Sequence, residues 1–260
     1  MAAKNVEWPK CRLVDLSVPI MNNAMEPQEQ VIMYWDHATF GRKICKDLGV
    51  DPTALPDGMG NASETLHVHS HAGTHIDAPY HFGPMPEGKP AKRIDEVPLE
   101  WLFGDGVVLD FHDKPAGYEI SAANVENALK KIGYTLKPMD IVCIRTDAYK
   151  RHLHPDFFVC YPGMSGEATH WLLDRGIKVM AIDAWGFDIP YPYMKKNFEA
   201  GRPNSLWPAH FLGRDREYMH AEKLANLDKL PPFGFKISMF PVKIDRASGA
   251  WIRAVAFVPE

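Results

Sequence analysis

Apolar and polar residues alternate along residues 11–19, CRLVDLSVP, and this period of two predicts a first β-strand. Residues 20–60 show no sustained period, so a long irregular stretch is expected there, interrupted by a short helix over residues 40–48. Loops of that length cover a site or drape over a partner subunit. Two short apolar runs, GVVLDF at 106–111 and MDIVCIR at 139–145, predict buried strands. Between them SAANVENALKKIG places Ser121 to cap a helix and Gly133 to end it. The grammar repeats where Ser165 opens GEATHWLLDR, Gly176 closes it and IKVMAID follows as a strand. Two helix-then-strand units predict an α/β fold with a mixed sheet. FKISMFPVKI and AWIRAVAFV, joined by a turn at 247–249, predict a closing hairpin of long strands. No internal repeat or low-complexity linker divides the chain, so residues 1–260 are expected to form a single domain.

Composition adds exclusions. With 46% hydrophobic and 24% charged residues the chain is globular in type. A net charge of -4 and a pI near 6.3 supply no basic field for phosphate backbones, so nucleic acid is not an expected partner. The opening MAAKNVEWPKCRL has no apolar core of a leader, and no apolar run approaches the roughly 18–20 residues that cross a bilayer. A cytoplasmic protein without a membrane partner is therefore expected. Cys11, Cys45, Cys143 and Cys160 form no CxxC pair and read as reduced thiols.

The chemistry concentrates in HVHSHAGTHIDAPYHF, residues 67–82, which holds five of the twelve histidines. Leu66 and Val68 alternate with polar residues, which would set His67, His69 and His71 on one strand face. Read alone, His67 and His69 are an ordinary solvated or hydrogen-bonded face. Gly73 and Thr74 then break the strand and let the chain turn, so that His71, His75 and Asp77 can converge. Two imidazoles and a carboxylate suit Zn²⁺, Mn²⁺ or Fe²⁺, with positions left for water or substrate. His81 follows four residues beyond Asp77, where a histidine is placed for proton transfer.

HAGTHIDAPYHF, residues 71–82, resembles the signature of the metal-dependent cyclase family, which includes bacterial kynurenine formamidases and isatin hydrolases. The resemblance implies metal ligation by His71, His75 and Asp77 and an acid/base role for His81. Two later blocks are similar as well: YPGMSGEATHWLLDRGIKVMAID at 161–183 and HFLGRDREYMHAEKLANLDKLP at 210–231. The second implies further ligands at His210 and Glu222, twelve apart. Read alone, Glu222 is a solvated charge, so its role rests on the resemblance. One departure is Gly186 ahead of Asp188, where the family commonly has serine, so a hydrogen bond from that serine is not expected.

The same resemblance implies a swivelling β/β/α fold, a homodimer or higher homo-oligomer whose early loop reaches a neighbour, and one or two Mn²⁺ or Zn²⁺ ions per subunit. The expected activity is amide hydrolysis by metal-activated water on a small aromatic substrate, a cyclic amide such as isatin or an aryl formamide such as N-formylkynurenine. A lactone or other cyclic ester, a lyase or cyclisation reaction, and a metal-binding protein without turnover remain as alternatives. Trp35, Phe40 and Trp185 are the candidates for substrate contact, with core packing or a subunit interface as the alternative. Asp183, ending IKVMAID, either faces the site or caps a backbone amide.

Overall fold

The computed structural model describes residues 10–22 and 26–260. Residues 1–9, on which the expectation about a leader rests, lie outside them. The strands are β1 (Cys11–Asp15), β2 (Val31–Trp35), β3 (Ser63–His67), β4 (His75–Asp77), β5 (Phe103–Asp110), β6 (Glu119–Ile120), β7 (Ile141–Arg145), β8 (Gly163–Met164), β9 (Val179–Ile182), β10 (Met219–Glu222), β11 (Phe235–Ser238), β12 (Gly249–Trp251) and β13 (Val255–Pro259). The helices are α1 (His37–Leu48), α2 (Pro79–Phe82), α3 (Ala122–Ile132), α4 (Gly166–Leu173), α5 (Tyr191–Glu199) and α6 (Pro208–Leu212).

Nine strands form one mixed sheet in the order β1-β13-β11-β5-β7-β9-β10-β4-β12. Its centre, β5-β7-β9-β10, is parallel, and both flanks are antiparallel. Period 2 divides the apolar residues of the centre between two cores. Val107, Leu109, Val142, Ile144, Met180 and Ile182 face α3 and α4, packing against Val125, Leu129, Ala168 and Leu172. Val108, Ile141, Cys143, Val179 and Ala181 face the other way and meet Ile76, Met219, Ala221, Ile237, Ala250 and Ala256 inside the curl of the sheet. Runs buried on both faces explain why the strands read as continuous apolar segments. Each large aliphatic side chain so buried contributes about 1.5–3 kcal/mol.

The expected caps are present. Ser121 and Asn124 form a capping box at α3, and Gly133 closes it at φ 68°. Ser165 caps α4 by accepting from Ala168 N.

Three expectations need correction. Residues 20–60 are not irregular throughout, because β2 pairs antiparallel with β3 as a separate two-stranded sheet. The helix begins at His37, not near residue 40, because Asp36 accepts from Thr39 N and so sets the cap. The closing segments are also not a simple hairpin of long strands. Only residues 241–252 pair that way, after which β12 joins β4 and β13 joins β11 and β1 at opposite ends of the strand order. Curling brings the β1 end round to β10 and β4, as Ser17 bridges to Leu224 and Val18 N donates to Thr74 Oγ1 at 2.8 Å. Asp183 takes the bland role: fully buried, it accepts from Thr146 N and Oγ1 and from Asp147 N, fixing the turn after β7.

Candidate active site

On β4 and β10 the alternation that buries the core also makes the site. Ile76 and Ala221 point into the curled sheet, so His75, Asp77, His220 and Glu222 point to the opposite face. Antiparallel register sets His220 directly across from Asp77 and Glu222 across from His75. Cross-strand partners stand about 4.5–5.5 Å apart at Cβ, so their polar ends meet.

β3 ends at His67, earlier than the alternation suggested, and His67, His69 and His71 do not share one strand face. Gly73 takes φ +58°, a left-handed conformation open to glycine, and reverses the chain into β4. The reversal brings His71 beside Asp77. Gly249, across from Asp77 on β12, leaves room for that ring, since a Cβ there would stand 2.7 Å from His71 Cε1. Pro79 then starts α2, which carries His81.

Asp77 is the hub. Its Oδ1 lies 2.6 Å from His71 Nδ1 and 3.4 Å from His75 Nε2. Its Oδ2 lies 3.2 Å from His220 Nε2, 3.6 Å from His81 Nε2 and 3.9 Å from His210 Nε2. Glu222 faces the same centre, with Oε2 3.6 Å from His75 Nε2 and Oε1 3.7 Å from His210 Nε2. Two groups of donor atoms lie within 4.8 Å of one another, Asp77–His210–His220–Glu222 and His71–Asp77–His81. All six side chains expected at the metal site and for proton transfer are thus gathered at one place, with His75 between the two carboxylates.

Most of the imidazoles are held in one orientation. His75 Nδ1–H donates to Gly73 O at 2.9 Å, which turns Nε2 inward. His210 Nδ1–H donates to Asp188 Oδ2 at 2.5 Å, and Asp188 itself accepts from Ala209 N and His210 N. His71 spans Asp77 and Ser248 Oγ, the latter at 2.9 Å from Nε2. His81 has no such tether, and its side chain is 34% exposed at the cavity.

Burial pushes His75 down to about 3. Burial also lowers His81, with Asp77 partly opposing. At His71 and His220 burial works against the charged form but the facing carboxylates outweigh it, raising His71 and lifting His220 to about 9. Burial disfavours the Asp77 and Glu222 anions, yet the surrounding imidazoles prevail, placing Asp77 well below its usual value and Glu222 at about 2. Among the described residues the two buried carboxylates pair with imidazoles and with no lysine or arginine, which makes them a strong cation trap.

Above this floor opens a cavity of about 430 Å³. Trp185, Tyr191, Trp207 and Phe211 form an aromatic wall, and Lys223, buried and paired with Glu26 at 2.7 Å, also lines the cavity. Trp185 therefore sits where substrate contact was expected. Trp35 and Phe40 do not line this cavity: they belong to β2 and α1. At Gly186 the space a serine would occupy is taken by Tyr161, whose Oη would stand 2.9 Å from a Cβ there.

Sequence reasoning passed over His220 and the anchoring role of Asp188. The signal for His220 was its spacing of two from Glu222, which on a strand means the same face. Asp188→Asn is expected to lower cation affinity about 10- to 100-fold, because its one remaining oxygen cannot accept from both Ala209 N and His210 Nδ1 and the His210 ring is less firmly held; equilibrium metal titration checks it.

The Cyclase family model matches residues 14–189. An isatin hydrolase of Roseibium aggregatum is 28% identical over 215 residues, covering 78% of each chain. A kynurenine formamidase of Salinibacter ruber is 24% identical over 197 residues, covering 74% of this chain and 77% of the relative. Among solved structures, an isatin hydrolase bound to the product analogue thioisatinate superposes with TM-score 0.76 at 25% identity, covering 95% of this chain and 92% of that one. A further cyclase structure, at 21% identity and TM-score 0.73, shares the fold. The family model alone spans well over half of the sequence, and the chain belongs to the Cyclase family.

Proposed function

We propose that the protein is a metal-dependent amidohydrolase acting on a non-peptide C–N bond, opening a cyclic amide such as isatin or cleaving an aryl formamide such as N-formylkynurenine. One observation carries this reading: two buried carboxylates, Asp77 and Glu222, face inward-turned imidazoles at the floor of an aromatic-walled cavity.

The residues suit a divalent cation. Asp77 Oδ1 is buried without a well-formed hydrogen bond, which is the state of a ligand atom whose partner is a cation. His71, His75 and Asp77 would hold one ion, and His210 and Glu222, sharing Asp77, would hold another. Nitrogen and carboxylate donors suit Zn²⁺ or Mn²⁺. For His71 to ligate, its close approach to Asp77 Oδ1 opens, since 2.6 Å is shorter than neighbouring ligands of one ion stand apart. When bound, the cation supplies a water of lowered pKa and polarises the carbonyl under attack.

His81, kept neutral by burial, takes a proton at Nε2 from the attacking water and returns it to the departing nitrogen. Asp77, 3.6 Å away, stabilises the imidazolium in between. Trp185 and its aromatic neighbours offer a planar substrate a face and exclude water. In the same proposal the protein is a cytoplasmic homodimer. The β2–β3 arm, with Met33, Tyr34 and Leu66 exposed, reaches a second copy and presents Trp35 and Phe40 there. The four unpaired thiols suit a reducing compartment.

The test is a panel of isatins, aryl formamides, imides and lactones, offered in ¹⁸O-water to metal-free protein reloaded with each cation. An isatin or a formamide is expected to turn over and to take one solvent oxygen into the product. Product free of solvent oxygen identifies a lyase or cyclisation instead, and lactone turnover alone contradicts the amide assignment.

A further inference from the structure

We propose that His220 completes a second cation position with Asp77, His210 and Glu222, so that this position is closed by four protein donors while the one at His71 and His75 stays open to water and substrate. The inference rests on the metal-dependent reading above and adds to it a ligand and a division of labour.

His220 is fully buried, and its two ring nitrogens are in different states. Nδ1 lies 3.2 Å from Tyr218 Oη, whose hydroxyl hydrogen is committed to Ala209 O at 2.8 Å. The tyrosine oxygen can therefore only accept, so Nδ1 carries the hydrogen. Nε2 has no hydrogen-bond partner and is aimed between Asp77 Oδ2 at 3.2 Å and Glu222 Oε1 at 3.4 Å. Phe187 stacks on the ring at 4.4 Å between centroids and Phe82 lies at 4.9 Å, so apolar surfaces cover its faces. With the hydrogen of the neutral ring on Nδ1, Nε2 turns a lone pair toward carboxylate oxygens, and only a positive partner, a proton in the metal-free protein or a metal cation, can sit between them.

The distances suit a shared centre. Four donors at about 2.1 Å from a tetrahedral ion stand about 3.4 Å from one another. The carboxylate-to-imidazole separations here are 3.2, 3.4, 3.7 and 3.9 Å. Tetrahedral sites with four protein ligands are structural in character, whereas catalytic sites keep a position free. Asp77 links the two kinds, so the closed ion fixes the carboxylate that orients the open one.

The experiment titrates metal-free protein with Zn²⁺ alone and follows stoichiometry and affinity by calorimetry, with Co²⁺ absorption reporting tetrahedral geometry. Wild type is expected to take two equivalents. His220→Phe, a ring of similar shape in an aromatic setting, is expected to weaken one equivalent by more than about 100-fold and to leave the other in place. Tyr218→Phe keeps the imidazole but frees its orientation, and is expected to weaken the same equivalent by about 10- to 100-fold. It serves as the readout if His220→Phe does not fold. Two equivalents of unchanged affinity in either folded variant overturn the proposal. So does a wild type that binds a single equivalent, lost in His75→Ala and untouched in His220→Phe, an outcome under which the hydrolase assignment stands. A wild type that binds no cation removes both.

Discussion

Asp77→Asn is expected to strip the protein of its cation and, with it, of hydrolysis. The side chain is 1% exposed, and Asp77 is the one residue common to both groups of donor atoms. Asparagine keeps the shape but removes the charge, and it turns an amide N–H₂ toward an imidazole nitrogen that needs a lone-pair acceptor or a cation. Removing one member of a buried charged set costs about 3–5 kcal/mol, which is about 10²- to 10⁴-fold in affinity. Metal content per chain after dialysis against a weak chelator reads the effect, with thermal unfolding of the metal-free forms as a control for folding. A variant that keeps the wild-type metal content and rate contradicts the role of Asp77.

His81→Ala is expected to lower kcat about 10²- to 10⁴-fold while the bound metal is retained. His81 is the least constrained imidazole of the site, untethered and 34% exposed, as a group that moves protons between water and substrate requires. A protein that only stores a cation has no need of it, so the pairing of lost turnover with kept metal separates an enzyme from a storage protein. Because burial lowers the pKa of His81, its neutral form prevails at neutral pH, and the acid limb of the wild-type kcat/KM profile is expected below the value of 6.5 for an unperturbed histidine. That limb is expected to disappear in the variant. Equal turnover in wild type and variant assigns the proton transfer elsewhere.

Much of the site was legible because its first part is local. A histidine, a glycine turn, a second histidine and an aspartate within residues 71–77 need only one chain reversal to converge, and Gly73 makes it. His210 and Glu222 lie far along the chain and were placed by resemblance, since no local pattern marks them. His220 escaped because β10 is four residues long, too short for its alternation to stand out. Asp188 escaped because its value depends on α6 being folded back onto it, through Ala209 N and His210 Nδ1. In the fold, the capped helices and doubly buried strands followed from propensity and period. The fate of the carboxyl-terminal strands did not, since a curled sheet decides which edge β12 and β13 join. Trp35 and Phe40 are aromatic residues in a region of weak pattern, and within one chain their packing in β2 and α1 keeps them from the cavity.

Anomalous diffraction from crystals of the zinc-loaded protein tests most directly whether His71, His75 and Asp77 jointly hold an ion. The expected result is a peak about 2.0–2.2 Å from one nitrogen of each histidine and one oxygen of Asp77. A fully loaded crystal with no peak among those three side chains contradicts the account.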